Sequence, residues 1–295
     1  MKYLIIGSNG LVGKNLTFEL FENNIPFTAT FNKTTTNEHF LKCDILIKSD
    51  IENVFEIAKP DVVINATNLA GGVDFCENNP DIAKSFQYES NKIIGNFCLK
   101  YNSKYVLIST DYVFDGLNPP YSENDKVNPL NIYGSYKLLA EQWITENIQN
   151  SLIIRTTNVF GWDPLTTTPN FLMNLFFKLS EAKTINVPSF LYGNPTYAND
   201  LAKAIIELCT KNANGIFNIV GSSFINRYDW AVKFCKIMGF DEKLLIKSEN
   251  PPQNMIPRPL LSNLSTQKFI KTYNTKLHNV DESLELFYKE SKLAR

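Results

Sequence analysis

Short apolar runs along the chain alternate with longer stretches in which apolar residues recur every three or four positions, and this alternation predicts strand and helix in turn. "KYLIIG" (2–7) predicts a first strand, and after "GSNGLVG" the residues Leu16, Phe18, Leu20 and Phe21 fall at helical spacing. "PFTATF" (26–31) predicts a second strand, "DILI" near Asp44 a third, and "IENVFEIAKP" a helix. "DVVINAT" (61–67) is apolar on both faces, which means burial on both sides, as in the middle of a parallel sheet. A helix over about 81–101 leads to "KYVLIST", and another from about Asn131 leads to "SLIIRTTNVFG". Elements alternating at these lengths predict an α/β fold with a Rossmann-type, doubly wound parallel sheet.

Past Gly161 the periodicity weakens. "WDPLTTTPN", "VPSFLYGNPT" and "ENPPQNMIPRPLL" are rich in proline and polar turn residues, whereas "NDLAKAIIELCT" and "GIFNIVG" read as one more helix and strand returning to the sheet. The expected organisation is a sheet-bearing domain over 1–160 and about 196–220, and a smaller region over about 161–195 and 221–295 that supplies a lid or second wall.

Composition narrows the classes of partner. The 29 Lys and Arg residues against 30 Asp and Glu leave a net charge of −1, so no global basic field exists to collect nucleic acid or anionic lipid. Cys43, Cys76, Cys98, Cys209 and Cys235 are odd in number, far apart and free of any C-x-x-C, which fits reduced thiols packed as small hydrophobes in a cytoplasmic protein. The sequons at Asn65 and Asn263 are then accidental. The apolar start is too short for a signal peptide, and no stretch approaches the roughly 18 apolar residues of a spanning helix. His39 and His278 lie in no spacing that suggests a metal site or a hydrolase triad, and no metal is expected.

Three local patterns carry chemistry. In "GSNGLVG", Gly7, Gly10 and Gly13 lie between a strand and a helix, where missing side chains let backbone N–H groups and the helix N-terminus approach a pyrophosphate. A dinucleotide would then meet the end of the second strand, where an acidic residue selects NAD; here that end reads Phe31-Asn32-Lys33. Without a carboxylate and with a lysine, it favours NADP(H) over NAD(H). "NIYGSYKLLAE" places Tyr133 and Lys137 four apart, one turn apart on one helix face. Lowering a phenol pKa from about 10 to about 7 takes roughly 4 kcal/mol. An ammonium about 4 Å away at an effective dielectric near 20 supplies roughly that. The third pattern is "STDYVFDG" (109–116), which ends a buried strand on Ser109, Thr110, Asp111 and Tyr112.

With Gly7, Thr110, Tyr133 and Lys137 in this order, the chain resembles the extended short-chain dehydrogenase/reductase superfamily. Within it, "STDYVFDG", "NPLNIYGSYKLLAE", "LYGNPT" and "RPLLSNLSTQKF" look most like the dTDP-4-dehydrorhamnose reductase family, from the first strand to about Phe269. The resemblance implies an NAD(P)-dependent oxidoreductase that reduces the keto group of a nucleotide-activated 4-keto-6-deoxy sugar bound under the C-terminal region. It implies cofactor contacts from Gly7, Asn9, Gly10, Leu11, Val12 and Gly13, from Asn32 and Lys33 at the ribose, and from Asp44 and Ile45 near the adenine. Ala66 and Thr67 match the loop flanking the cofactor. Tyr133 would donate the proton, Lys137 would hold the nicotinamide ribose and lower the Tyr133 pKa, and Thr110 would hydrogen-bond the substrate oxygen. Asp111 and Asn158 complete the expected substrate contacts, and a homodimer is the assembly considered.

The sequence also departs from the family pattern. Sugar-nucleotide dehydratases of the superfamily typically read Thr-Asp-Glu where this chain has Thr110-Asp111-Tyr112, so elimination lacks its base. The family's "R-T-S-W-V-Y" carries a tryptophan near the sugar; here "RTTNVFGW" has Asn158, which cannot stack, and leaves Phe160 and Trp162 as the aromatic candidates. "NLAGGVDFCENN" has an apparent one-residue insertion that reshapes the wall at Gly71 to Asp74. Two other readings use the same residues: an epimerase that keeps its nicotinamide bound, and a non-catalytic regulatory subunit of the methionine adenosyltransferase type.

Overall fold

The computed structural model describes residues 1–33, 38–166 and 168–293. The first half runs β1 (Tyr3–Ile6), α1 (Leu11–Glu22), β2 (Phe27–Phe31), β3 (Leu41–Lys42), α2 (Lys48–Ala58), β4 (Val62–Asn65), α3 (Gly72–Asn78), α4 (Pro80–Lys84), α5 (Ser90–Tyr101), β5 (Lys104–Thr110) and α6 (Ile132–Asn147). The second half runs β6 (Ser151–Thr156), β7 (Val159–Phe160), α7 (Phe171–Ser180), β8 (Ile185–Pro188), β9 (Tyr192–Gly193), β10 (Thr196–Tyr197), α8 (Ala198–Thr210), β11 (Gly215–Asn218), β12 (Ile225–Asn226), α9 (Arg227–Met238), β13 (Leu245–Ser248), β14 (Leu261–Ser262), α10 (Gln267–Ile270) and α11 (Val280–Leu293).

Seven strands form one parallel sheet in the order β11-β6-β5-β4-β1-β2-β3, the Rossmann-type sheet expected. The apolar runs are buried on both faces because a helical layer covers each. On one face Leu16, Leu20, Leu201 and Ile205 of α1 and α8 pack on Tyr3, Ile5, Ile64 and Ile154. On the other, residues of α2, α5 and α6 such as Phe55, Ile94 and Ile144 pack on Leu4, Ile6 and Val63. A third apolar cluster gathers α7, α9 and α11 with β8 and β13 around Trp230, Phe234 and Phe287. Among the described residues no helix is long and apolar enough to cross a membrane.

Two elements differ from the sequence reading. The third strand is Leu41–Lys42, not "DILI", because the Asp44 carboxylate accepts the Leu46 N–H at 2.9 Å and bends the chain into an Asx turn there. The helix expected over 81–101 is continuous from α4 to α5 but contains a π-helical turn, Ser85–Glu89. All five cysteines are buried and unpaired.

Candidate active site

The glycine turn after β1 is built by close approach. Gly7 holds φ +88, in the left-handed region, and a Cβ there would lie 2.9 Å from the Thr67 methyl carbon. A Cβ on Gly13 would lie 2.2 Å from the Gly7 carbonyl oxygen. Gly10 is the N-cap of α1, supplies no side-chain cap, and the first turn of α1 carries no acid. An uncapped helix N-terminus with no acid beside it suits a pyrophosphate, so the residues present fit a dinucleotide. Asn9 and Leu11 flank Gly10, while Asn32 and Lys33 are exposed just past β2. Asp44 is half-buried and Ile45 buried in the turn after β3.

At the C-terminal ends of β4, β5 and β6 a cavity of about 520 Å³ opens. It brings together Val12, Ala66, Thr67, Thr110, Asp111, Tyr133, Lys137 and Asn158 from the expected site. The remaining expected cofactor residues, Gly7, Asn9, Gly10, Leu11, Gly13, Asn32, Lys33, Asp44 and Ile45, lie outside its lining.

A series of contacts fixes α6, which carries Tyr133 and Lys137. The Asn131 side chain accepts the Gly134 N–H at 2.9 Å as N-cap, and Glu77 of α3 accepts the Ile132 N–H at 3.0 Å. Gly134 permits the close approach, since a Cβ there would lie 2.2 Å from the Tyr112 carbonyl oxygen. The Tyr112 ring meets the Tyr133 ring edge-on at 5.6 Å. One turn along, the Lys137 ammonium donates to the Ile108 carbonyl of β5 at 3.0 Å. A further turn on, buried Glu141 accepts Ser109 Oγ at 2.5 Å and forms a buried ion pair with Arg155 of β6 at 2.6 Å. Helix and strand tip are thus held in one register, with Thr110 next to Ser109.

Burial raises the Tyr133 pKa, and hydrogen bonding with the Thr110 hydroxyl offsets part of that rise. Burial lowers Lys137 to about 8, against the opposing pull of Glu141. The expectation that Lys137 depresses the Tyr133 pKa is not met in this state: desolvation dominates the phenol, and the ammonium is turned to the Ile108 carbonyl. Asp111 is raised by burial, with the hydroxyls of Ser262, Thr110 and Thr157 working against that rise. Its carboxylate is therefore occupied by protein hydroxyls.

The second wall comes from the C-terminal region, through Phe171, Asn174 and Arg227. Neither aromatic candidate reaches the cavity. Phe160 is fully buried against Trp230, and Trp162 packs edge-on against Phe176 and Phe287. Phe171 lines the cavity instead. Asn158 sits at φ +48 and accepts an Arg227 N–H at 3.0 Å. Arg227 escaped the sequence reading, although a signal existed: it is the first residue of α9, where the helix dipole disfavours a cation.

A parallel doubly wound sheet, an open glycine turn at a helix N-terminus, and a hydroxyl, phenol and ammonium at the strand tips define an NAD(P)-dependent oxidoreductase of the extended short-chain dehydrogenase/reductase superfamily. Within that class the chain belongs to the family described as the RmlD substrate binding domain, whose model matches residues 1–293. It is 31% identical over 266 residues to the spore coat polysaccharide biosynthesis protein SpsK of Bacillus subtilis, covering 90% of this chain and 89% of that protein. It is 26% identical to methionine adenosyltransferase 2 subunit beta of Danio rerio, over 85% of this chain and 78% of that one. Among solved structures it resembles dTDP-4-dehydrorhamnose reductase from Bacillus anthracis in complex with NADP, with a TM-score of 0.87, 25% identity, and 98% and 99% of the two chains covered.

Proposed function

We propose that the chain reduces the keto group of a nucleotide-activated 4-keto-6-deoxy sugar. Gly7, Asn9, Gly10, Leu11, Val12 and Gly13 would hold the pyrophosphate of NADP(H), Asn32 and Lys33 its 2′-phosphate, and Asp44 and Ile45 its adenine end. Ala66 and Thr67 would flank it, and when bound it supplies the hydride. The reading is carried by one observation: Thr110, Tyr133 and Lys137 line a single cavity at the strand tips.

Tyr133 is the proton donor. Burial keeps its phenol protonated, and a ketone oxygen turning into an alkoxide is basic enough to take that proton. Lys137, at about 8, is charged in most molecules at neutral pH; its ammonium faces the Ile108 carbonyl here, and it would hold the nicotinamide ribose of the bound cofactor. The Thr110 hydroxyl, which donates to Asp111 Oδ1 at 3.1 Å, also hydrogen-bonds with Tyr133 and keeps the phenol at the cavity. Tyr112 replaces the base that a dehydratase uses, and its ring holds Tyr133 edge-on. Five buried, unpaired thiols suit a reducing cytoplasm.

The test is oxidation of NADPH, followed by its near-ultraviolet absorbance, with dTDP-, UDP- and GDP-linked 4-keto-6-deoxy sugars. Turnover with one of them is expected. Failure with all three removes the reductase reading, and cofactor retained through purification without net oxidation would favour an epimerase.

A further inference from the structure

We propose that Arg227 is the anion-recognition residue of the substrate cavity, presented by Asn158 and Phe171 and setting which nucleotide sugars the cavity accepts. The proposal rests on the nucleotide-sugar reading above and names the group that recognises the charged part of that substrate.

Arg227 is held on two sides. Its guanidinium lies over the Phe171 ring, 5.0 Å from the centroid, and one of its N–H groups donates to Asn158 Oδ1 at 3.0 Å. Asn158 is itself fixed. Its backbone is in the left-handed region at φ +48, and a Cβ on Gly193 would lie 2.2 Å from its side-chain nitrogen, so the amide fills a slot that only glycine leaves open. A guanidinium has five N–H donors in a rigid fork, and among the described residues stacking with one hydrogen bond leaves most of them unused.

The other arginines at this end of the sheet have carboxylate partners. Arg155 pairs with Glu141 and Arg258 with Asp74, both at 2.6 Å. Among the described residues no carboxylate forms an ion pair with Arg227. Asp111 acts on it through space, but that carboxylate already accepts the Thr110 hydroxyl. Arg258 adds positive charge nearby. An arginine oriented from two sides, facing the same cavity as Thr110 and Tyr133, is built to bind an oxyanion bidentately. Two sources present one: the diphosphate of the nucleotide, or the C6 carboxylate of a uronic acid, which would keep the nucleotide-sugar class but replace the 6-deoxy sugar proposed above.

Calorimetric titration of the NADPH-loaded protein with dTDP, UDP, UDP-glucose and UDP-glucuronate separates them. If the oxyanion is the diphosphate, Arg227→Gln weakens dTDP or UDP binding roughly tenfold or more. If it is a sugar carboxylate, Arg227→Gln leaves diphosphate binding intact and abolishes a wild-type preference for UDP-glucuronate over UDP-glucose. Asn158→Gly, which accepts the left-handed backbone without strain, shows a smaller loss in the same direction. Equal binding of every probe by wild type and Arg227→Gln, both with unchanged melting temperature, overturns the assignment and leaves the substrate class standing. If the wild-type protein binds none of the four, the nucleotide-sugar reading falls and this proposal with it.

Discussion

Thr110 and Asp111, neighbours in the chain, are joined side chain to side chain: the hydroxyl donates to the carboxylate at 3.1 Å and accepts the Tyr112 N–H at 3.2 Å. One lone pair of the hydroxyl remains for the active face. Thr110→Val removes it while keeping the shape, and the expected result is a loss of about 100-fold in kcat. Thr110→Ser restores most of the rate. Steady-state kinetics on the three proteins decide, and equal rates for Val and wild type would remove Thr110 from the chemistry.

Tyr133→Phe deletes the proposed acid and its hydrogen bond with Thr110 but keeps the edge-on contact with the Tyr112 ring. Activity should fall by about 10²- to 10⁴-fold. Binding of NADPH, read by its fluorescence, should stay within a few-fold, which separates loss of chemistry from loss of the site.

Lys137 links activity to pH. The proposed role needs the ammonium, so kcat/KM should decline as pH rises through about 8, and a flat profile up to pH 10 would contradict it. The same group makes stability move the opposite way. Its pKa is lower folded than unfolded, so the unfolded chain binds more protons between about 8 and the ordinary lysine value, and stability rises with pH across that window. Below it the buried charge costs roughly 3 kcal/mol. Lys137→Met should therefore be inactive yet melt at a higher temperature at pH 7.

Lys33 carries the cofactor preference at the end of β2. Lys33→Glu places a carboxylate where NAD-selective sites have one, and should raise KM for NADPH about tenfold while leaving KM for NADH within about twofold. Unchanged NADPH kinetics would place the 2′-phosphate elsewhere.

Gly13→Ala probes the glycine turn. The added methyl would meet the Gly7 carbonyl at 2.2 Å, a backbone atom that cannot swing aside. Destabilisation of about 1–3 kcal/mol is expected, together with loss of NADPH binding. A thermal melt and a cofactor titration measure both.

The sheet was legible because parallel central strands are buried on both faces, and "YLII", the "VVI" of β4 and the "LII" of β6 are uninterrupted apolar runs. The third strand was misplaced because "DILI" has strand composition while its Asp44 side chain makes a turn, which composition does not register. Thr110, Tyr133 and Lys137 were readable from their order and spacing. Arg227 was not, because its one local signal, a cation at the start of α9, does not tell that the fold places it against Asn158. The aromatic candidates failed for a related reason: Phe160 and Trp162 look identical in sequence whether they face a ligand or the cluster around Phe287, and they face the cluster.

The order of the sheet also bears on how the chain is made. β11 pairs with β6, Gly215 opposite Leu152, so one edge of the sheet waits for a strand synthesised after α7, the small strands and α8. Until then β6 displays a row of backbone donors and acceptors with no neighbour, the kind of surface that recruits other chains. A nascent or refolding molecule is therefore most prone to aggregation after residue 156 and before residue 218, and a truncation in that interval should be recovered largely as insoluble protein.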